Sequence, residues 1–186
     1  MPKVQRKIVG GTSGSRQCDD FYPTPAYVTR ALLENHKFEG DIWECACGDG
    51  RMSEVLKEAG YTVASTDLFD RGYYDRIPRP IDFLLENTHV DNIVTNPPFN
   101  LSYEFILQGL RLADKCLALF LPIRYLTGKS RAEIYKQNPP TKIIVLPNKV
   151  DFLGKGSPVM EFAWFIWEKG KQRSEIVWAE WSGRGI

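Results

Sequence analysis

The feature that most limits the fold of this chain is a regular alternation of strand-like and helix-like segments. Short apolar runs typical of buried strands alternate with segments whose apolar residues recur every three or four positions, as in amphipathic helices. The predicted strands are 41–47, 61–67, 92–96, 115–121, 141–147 and 159–168, the predicted helices are 25–35, 50–59, 101–113 and 129–136, and a short irregular element covers 81–85. This order predicts an α/β fold with a mostly parallel sheet, in which ligands bind beyond the carboxyl ends of the strands.

Length and composition indicate one compact domain. The chain has 186 residues, of which 43% are hydrophobic, so it can bury one ordinary core but not two. We expect a flexible tail at residues 1–20, with its Gly- and Ser-rich Gly10 to Ser15, and a single catalytic domain at 21–186. No signal-peptide pattern or membrane span is evident, so we expect a cytoplasmic protein without a membrane partner. The four cysteines lack zinc-ligand spacing and are expected to be reduced, buried thiols, with no metal bound.

A glycine turn separates the strand 41–47 from the helix that follows it. In Gly48-Asp49-Gly50, the glycines let the backbone approach a ligand closely, and the helix N-terminus adds unpaired N–H groups. Asp67 ends the next strand, 19 residues after Gly48, where a carboxylate can accept the hydroxyls of a ribose. Taken alone, the glycine turn could be no more than a tight connection between strand and helix. Together, the glycine turn and Asp67 predict a nucleoside site.

The carboxylate of Glu44, inside the strand before this turn, favours a cationic ligand over a phosphate. S-adenosylmethionine combines a ribose and an adenine with a sulfonium and an ammonium group, and it carries no phosphate. The alternative for Glu44 is an inward-facing carboxylate that backbone donors satisfy.

The segment Asn96-Pro97-Pro98-Phe99 follows the strand 92–96 and offers acceptors for an amino group. The two prolines have fixed φ angles and no N–H. No proline N–H can therefore occupy the Asn96 side-chain oxygen or the Pro97 carbonyl, and both oxygens can accept from a ligand. Phe99 offers a flat apolar face on which a planar ring can stack. The alternative is a strand-terminating turn followed by a core phenylalanine.

These segments resemble motifs of the amino-group methyltransferases that use S-adenosylmethionine, especially the small N6-adenine DNA methyltransferases of phages and prophages. Glu44 to Gly50 resembles the cofactor motif, Asn96 to Phe99 (NPPF) the catalytic motif, and Phe21 to Pro25 the N-terminal motif that folds over the methionine end of the cofactor. The resemblance covers roughly Asp20 to Glu168. It implies a Rossmann-like class I methyltransferase: a three-layer α/β/α sandwich around a mostly parallel, seven-stranded sheet with an antiparallel last strand.

The chain departs from the family pattern in two places. Ala46 and Cys47 stand where proline is common before the glycine turn, and we expect no separate target-recognition region. The second departure leaves sequence specificity open, including whether a homodimer supplies the missing surface.

The residues and the resemblance together assign three sets of site residues. The predicted catalytic residues are Asn96, Pro97, Pro98 and Phe99. The predicted cofactor-binding residues are Tyr22, Thr24, Pro25, Glu44, Ala46, Gly48, Gly50, Asp67, Leu68, Asp82, Phe83 and Asn96. The predicted substrate-binding residues are Phe99, Arg124, Lys149 and Phe152.

Two of these assignments have specific roles and stated alternatives. Asp82 is expected to accept from the adenine amino group of the cofactor and Phe83 to pack on its ring, with a surface aspartate and a core phenylalanine as the alternative. Phe152 is expected to stack on an extruded base, and Arg124 to meet a phosphate.

The expected activity is methyl transfer to an exocyclic amine of a nucleobase, first of all adenine N6 in DNA. Residues 121–186 hold 11 Lys and Arg against 6 Asp and Glu, which favours a nucleic acid partner over a protein amide. Methylation of adenine N6 or guanine N2 in RNA, methylation of a protein glutamine, and a non-catalytic binding module remain open alternatives.

Overall fold

The computed structural model describes residues 21–73, 80–152, 160–171 and 173–180. The tail predicted at 1–20 lies outside these ranges, as do residues 153–159, which follow Phe152. The described strands are β1 Ile42–Glu44, β2 Val63–Ser65, β3 Val90–Thr95, β4 Ala113–Pro122, β5 Lys142–Val145, β6 Phe162–Glu168 and β7 Glu175–Trp178. The described α-helices are α1 Ala26–Asn35, α2 Arg51–Glu58, α3 Ser102–Leu112 and α4 Lys129–Gln137. None of these helices is both long enough and apolar enough to cross a bilayer.

The strands form one mixed sheet in the order β2-β1-β3-β4-β6-β5-β7. The pairs β2-β1, β1-β3 and β3-β4 are parallel, whereas β6 runs antiparallel to both of its neighbours. Glu44 pairs with Ser65, and Trp43 pairs with Ile93, so β1, β2 and β3 end at the same edge of the sheet. The α/β class and the mostly parallel order that the sequence predicts are confirmed.

The antiparallel strand lies where it is expected, but it is not the last strand. After β6, the chain adds β7, which pairs in parallel with β5 at the edge of the sheet. β7 escapes prediction because it is short and largely solvent-exposed, with Ile176 52% and Trp178 67% exposed. Its sequence has three consecutive apolar residues and lacks the alternation of apolar and polar residues that marks a half-buried strand.

Two hydrophobic cores lie on opposite faces of the sheet. Leu32 of α1 and Leu56 of α2 pack with Trp164 in one core. Phe105 of α3 and Ile134 of α4 pack with Phe165 in the other. Because neighbouring strand residues point to opposite faces, Trp164 and Phe165 serve different cores, and the fold has the expected three layers.

Trp164 links the sheet to α1 by packing and by a hydrogen bond. Its side chain is fully buried, and its Nε1–H donates to the Val28 carbonyl at 2.9 Å.

We expect Trp164→Phe to lower the free energy of unfolding by about 2–3 kcal/mol, because the hydrogen bond is lost and a void is left in the core. Urea denaturation measures this change. Trp178→Phe, at an exposed position, should change the free energy by less than about 0.5 kcal/mol, and an equal effect of the two substitutions would contradict this account.

Candidate active site

The glycine turn and Asp67 meet at the edge where β1 and β2 end. The Gly48 N–H donates to Asp67 Oδ2 at 2.8 Å, and the Phe69 N–H donates to Asp67 Oδ1 at 2.8 Å. Gly48 and Gly50 have φ angles of 56° and 83°, a region that residues with side chains rarely adopt. Each carboxylate oxygen can accept two hydrogen bonds, so Asp67 can hold the turn and still receive a ligand hydroxyl.

Glu44 lies under α2 and is only 2% exposed. It accepts a hydrogen bond from the Ser53 hydroxyl, which in turn lies 2.6 Å from the Ser65 hydroxyl. Burial raises the pKa of Glu44 to about 8, although the Ser53 bonds oppose that shift. These contacts are those of an inward-facing carboxyl that accepts from Ser53.

The Asn96 amide is oriented by the N-terminal segment. Its Nδ2 donates to the Tyr22 carbonyl at 3.2 Å and to Thr24 Oγ1 at 3.0 Å. These contacts fix which end of the amide is the oxygen. Asn96 Oδ1 is buried and has no hydrogen-bond partner among the residues that the structure describes. A buried acceptor without a hydrogen bond lowers the stability of the fold, and a donor group on a ligand would remove that cost.

The loop after Asn96 is held by a residue that the sequence did not point to. The hydroxyl of Tyr125, a buried residue just after β4, donates to the Phe99 carbonyl at 2.9 Å, and the Ser102 hydroxyl donates to the same oxygen at 3.2 Å. The Arg131 guanidinium lies 4.5 Å from the centre of the Tyr125 ring. Because Tyr125 is 26 residues from Phe99, nothing in local sequence spacing indicates this contact.

An aromatic cluster surrounds Phe99. The Tyr22 ring stacks on Phe99 with centroids 5.2 Å apart and planes 20° apart. Phe152 is tilted against both rings, at 5.5 Å from Tyr22 and 6.2 Å from Phe99. Phe162, which is 1% exposed, packs against Phe99 at 5.3 Å from the core side. The predicted substrate-binding residues Phe99 and Phe152 are therefore brought together.

Two further aromatic rings cover the glycine turn. A Cβ built on Gly48 would lie 2.4 Å from the Phe21 ring, and one on Gly50 would lie 2.2 Å from Tyr73. The Arg71 guanidinium lies 4.2 Å from the centre of the Phe21 ring. The sequence reasoning placed Phe21 in a motif but gave no site role to it or to Arg71 and Tyr73, because their contacts depend on loop conformation.

Phe83 is a core side chain. It is 2% exposed and contacts the rings of Trp43 at 5.3 Å and Phe105 at 4.9 Å. Asp82 Oδ1 accepts from the Leu84 N–H at 3.0 Å and begins the short 3₁₀ helix Phe83–Leu85. Phe83 is thus largely buried in this conformation, as the core alternative describes.

The remaining predicted residues lie around this edge with varied exposure. Arg124 is exposed, with Nη1 3.0 Å from Met160 Sδ, and Lys149 Nζ lies 3.5 Å from Glu161 Oε1. Leu68 is 45% exposed, whereas Ala46 and Pro25 are half-buried. Both basic side chains therefore contact the two residues that precede β6.

Comparison with solved structures identifies the fold. A putative class I S-adenosylmethionine-dependent methyltransferase from Listeria monocytogenes matches with a TM-score of 0.58 at 17% identity, over 83% of this chain and 62% of that one. A putative RNA methyltransferase from Pyrococcus horikoshii matches with a TM-score of 0.58 at 16% identity, over 77% and 81% of the two chains. A modification subunit of a putative type I restriction enzyme from Vibrio vulnificus matches with a TM-score of 0.59 at 15% identity, over 89% and 48%.

The chain therefore has the class I methyltransferase fold, and it spans less than two thirds of the Listeria and Vibrio proteins. No protein-family model matches the sequence. No curated protein matches it either.

The buried Glu44 makes stability depend on pH. Its folded-state pKa of about 8 exceeds its ordinary value of 4.5, so the folded protein holds a proton that the unfolded chain releases. This contribution is fully present below pH 4.5 and is lost as the pH rises to about 8, with a slope of up to about 1.4 kcal/mol per pH unit. Glu44→Gln should flatten the decline, measured by urea unfolding between pH 5 and pH 9.

Glu58→Gln, an exposed change at the end of α2, serves as the control and should keep the wild-type slope. A Glu44→Gln variant that keeps that slope would show that another group controls the pH dependence.

Proposed function

We propose that this protein transfers a methyl group from S-adenosylmethionine to an exocyclic amine of a nucleobase, with adenine N6 in DNA as the first candidate. The observation that carries the proposal is that Asn96 Oδ1 is buried with no hydrogen-bond partner in the described part of the chain, three residues before the stacking ring of Phe99. An amino group on a planar ring would satisfy that oxygen while the ring lies on the phenyl face.

The residues at the sheet edge fit S-adenosylmethionine. Asp67 has acceptor capacity for ribose hydroxyls, and the left-handed glycines leave the turn open to close approach once Phe21 and Tyr73 move aside. Glu44, at the end of β1 and four residues before Gly48, would favour a cation in its ionised form. When bound, this cofactor supplies an electrophilic methyl group on a sulfonium.

The chain's own residues would activate the amine. The lone pair of an aromatic amine is delocalised into its ring, so the nitrogen is a poor nucleophile. Asn96 Oδ1 and the Pro97 carbonyl accept its two hydrogens and favour a pyramidal nitrogen. As positive charge develops on that nitrogen, both hydrogen bonds strengthen, which stabilises the transition state more than the bound substrate. The proton is then lost to water.

The choice of substrate rests on the aromatic cluster and on charge. A planar base can stack on Phe99, whereas an aliphatic glutamine side chain gains less from that face. The basic surplus of residues 121–186 favours a polyanion. An RNA base is the second candidate, since a putative RNA methyltransferase is among the similar structures as well as a restriction modification subunit. In duplex DNA, the base would have to be flipped out at a cost of a few kcal/mol.

One experiment separates these substrates. The purified protein is incubated with radiolabelled S-adenosylmethionine and, separately, with DNA, RNA and a protein mixture, and the modified product is identified by mass spectrometry. N6-methyladenine in DNA supports the proposal, and label in RNA bases supports the second candidate. Cofactor binding without any transfer would favour a non-catalytic binding module.

Asn96→Ala tests the acceptor role directly. We expect turnover to fall at least roughly 10²-fold, by analogy with the loss of one oxyanion-hole donor, while the cofactor still binds. Radiolabel transfer measures turnover, and calorimetric titration with S-adenosylmethionine measures binding. Asn87→Ala, an exposed asparagine in the loop before β3, is the matched control and should retain activity. Full activity in Asn96→Ala would refute the assignment.

Arg124→Ala tests the nucleic acid contact. If the exposed guanidinium contacts a phosphate, the substitution removes that contact. The plot of the logarithm of the DNA association constant against the logarithm of salt concentration should then have a slope shallower by about one unit. Fluorescence anisotropy with labelled DNA at several salt concentrations measures the slope. Lys136→Ala is the control, since Lys136 pairs with Glu133 on α4. An unchanged slope in Arg124→Ala would remove Arg124 from the interface.

A further inference from the structure

We infer that the Tyr22 ring occupies the position of the target base on Phe99 and is an internal competitor that any incoming ring must displace. This inference rests on the proposed function and refines it. It makes Tyr22, which the resemblance assigns to the cofactor, a residue that determines substrate specificity.

The geometry of the Tyr22 and Phe99 rings is that of a base on a stacking platform. Their planes differ by 20° and their centroids are 5.2 Å apart, within the range of offset-stacked aromatic pairs. Phe152 meets the Tyr22 ring at 59°, so its edge forms a side wall for whatever ring lies there. The cluster thus already holds one six-membered ring in the place where a planar substrate is expected.

The backbone of Tyr22 also lies at the acceptor. Asn96 Nδ2 donates to the Tyr22 carbonyl at 3.2 Å, while Asn96 Oδ1 is buried without a partner among the described residues. The Tyr22 hydroxyl, although a possible donor, does not reach Asn96 Oδ1, so the tyrosine ring lies on the stacking face without satisfying that oxygen. An aromatic amine can do both, which gives it an advantage over the internal ring.

The spacing excludes a sandwich in the present conformation. A base held between Tyr22 and Phe99 would require their planes to be ~7 Å apart, twice the ~3.5 Å contact distance between stacked atoms. With centroids 5.2 Å apart, the two rings leave no such gap. Tyr22 must therefore leave the face of Phe99 before a base stacks there, and ligands that gain little from stacking would not displace it.

The test compares oligonucleotide binding by wild type, Tyr22→Ala and Tyr22→Phe with S-adenosylhomocysteine at saturation. The probe is a labelled single-stranded oligodeoxyadenylate, followed by fluorescence anisotropy. Removal of the competitor should tighten binding about 3- to 10-fold in Tyr22→Ala, the effect of one aromatic stacking contact. Tyr22→Phe keeps the ring and should bind as the wild type does. Tyr103→Ala, a partly exposed tyrosine on α3, is the control.

Tyr22→Leu provides a second variant that keeps apolar bulk but lacks a flat ring, and circular dichroism establishes that each variant is folded. Equal or weaker binding by folded Tyr22→Ala and Tyr22→Leu, with a wild type that binds and methylates, overturns the inference and leaves the proposed function standing. Failure of the proposed function has a different signature, because wild type would then transfer no methyl group to any substrate.

Discussion

The hydrogen bond from the Gly48 N–H to the Asp67 carboxylate fixes the geometry on which the site depends. β1 and β2 pair in parallel and end together, but strand pairing alone does not determine how the following loops are placed. The carboxylate ties the turn after β1 to the end of β2 and supports the left-handed conformation of Gly48. The same edge receives Asn96 from β3, so three separate loops converge there because parallel strands end together.

A two-residue segment connects the two halves of this site. Phe21 lies on the glycine turn, whereas Tyr22 lies on Phe99 and its carbonyl holds the Asn96 amide. Phe21 and Tyr22 are neighbours in the chain, so one short segment covers both places. A single peptide unit therefore joins the ring that covers the glycine turn to the ring that covers Phe99.

Much of the fold was predictable because it depends on local pattern. Apolar runs and helical periodicity marked every described strand except β7, whose short exposed sequence carries no such signal. The proximity of Gly48 and Asp67 followed from parallel topology. The stacking of Tyr22 on Phe99 and the Tyr125 hydrogen bond were not predictable, since they join residues distant in sequence through side-chain conformation. The contact of Phe83 with the cofactor adenine, implied by resemblance, stays a prediction, and its packing against Phe105 could not be predicted from local pattern.

The insertion of β6 between β4 and β5 has a kinetic consequence. Cys116 pairs with Glu168, and Pro122 pairs with Phe162, so the centre of the sheet forms only after segments 40 or more residues apart have met. Closing such loops costs chain entropy before the pairing returns any stabilisation. Sheets dominated by such distant pairings fold more slowly than helical bundles of similar stability. The long apolar β4 would therefore stay exposed for part of refolding, when it is most able to associate with other chains.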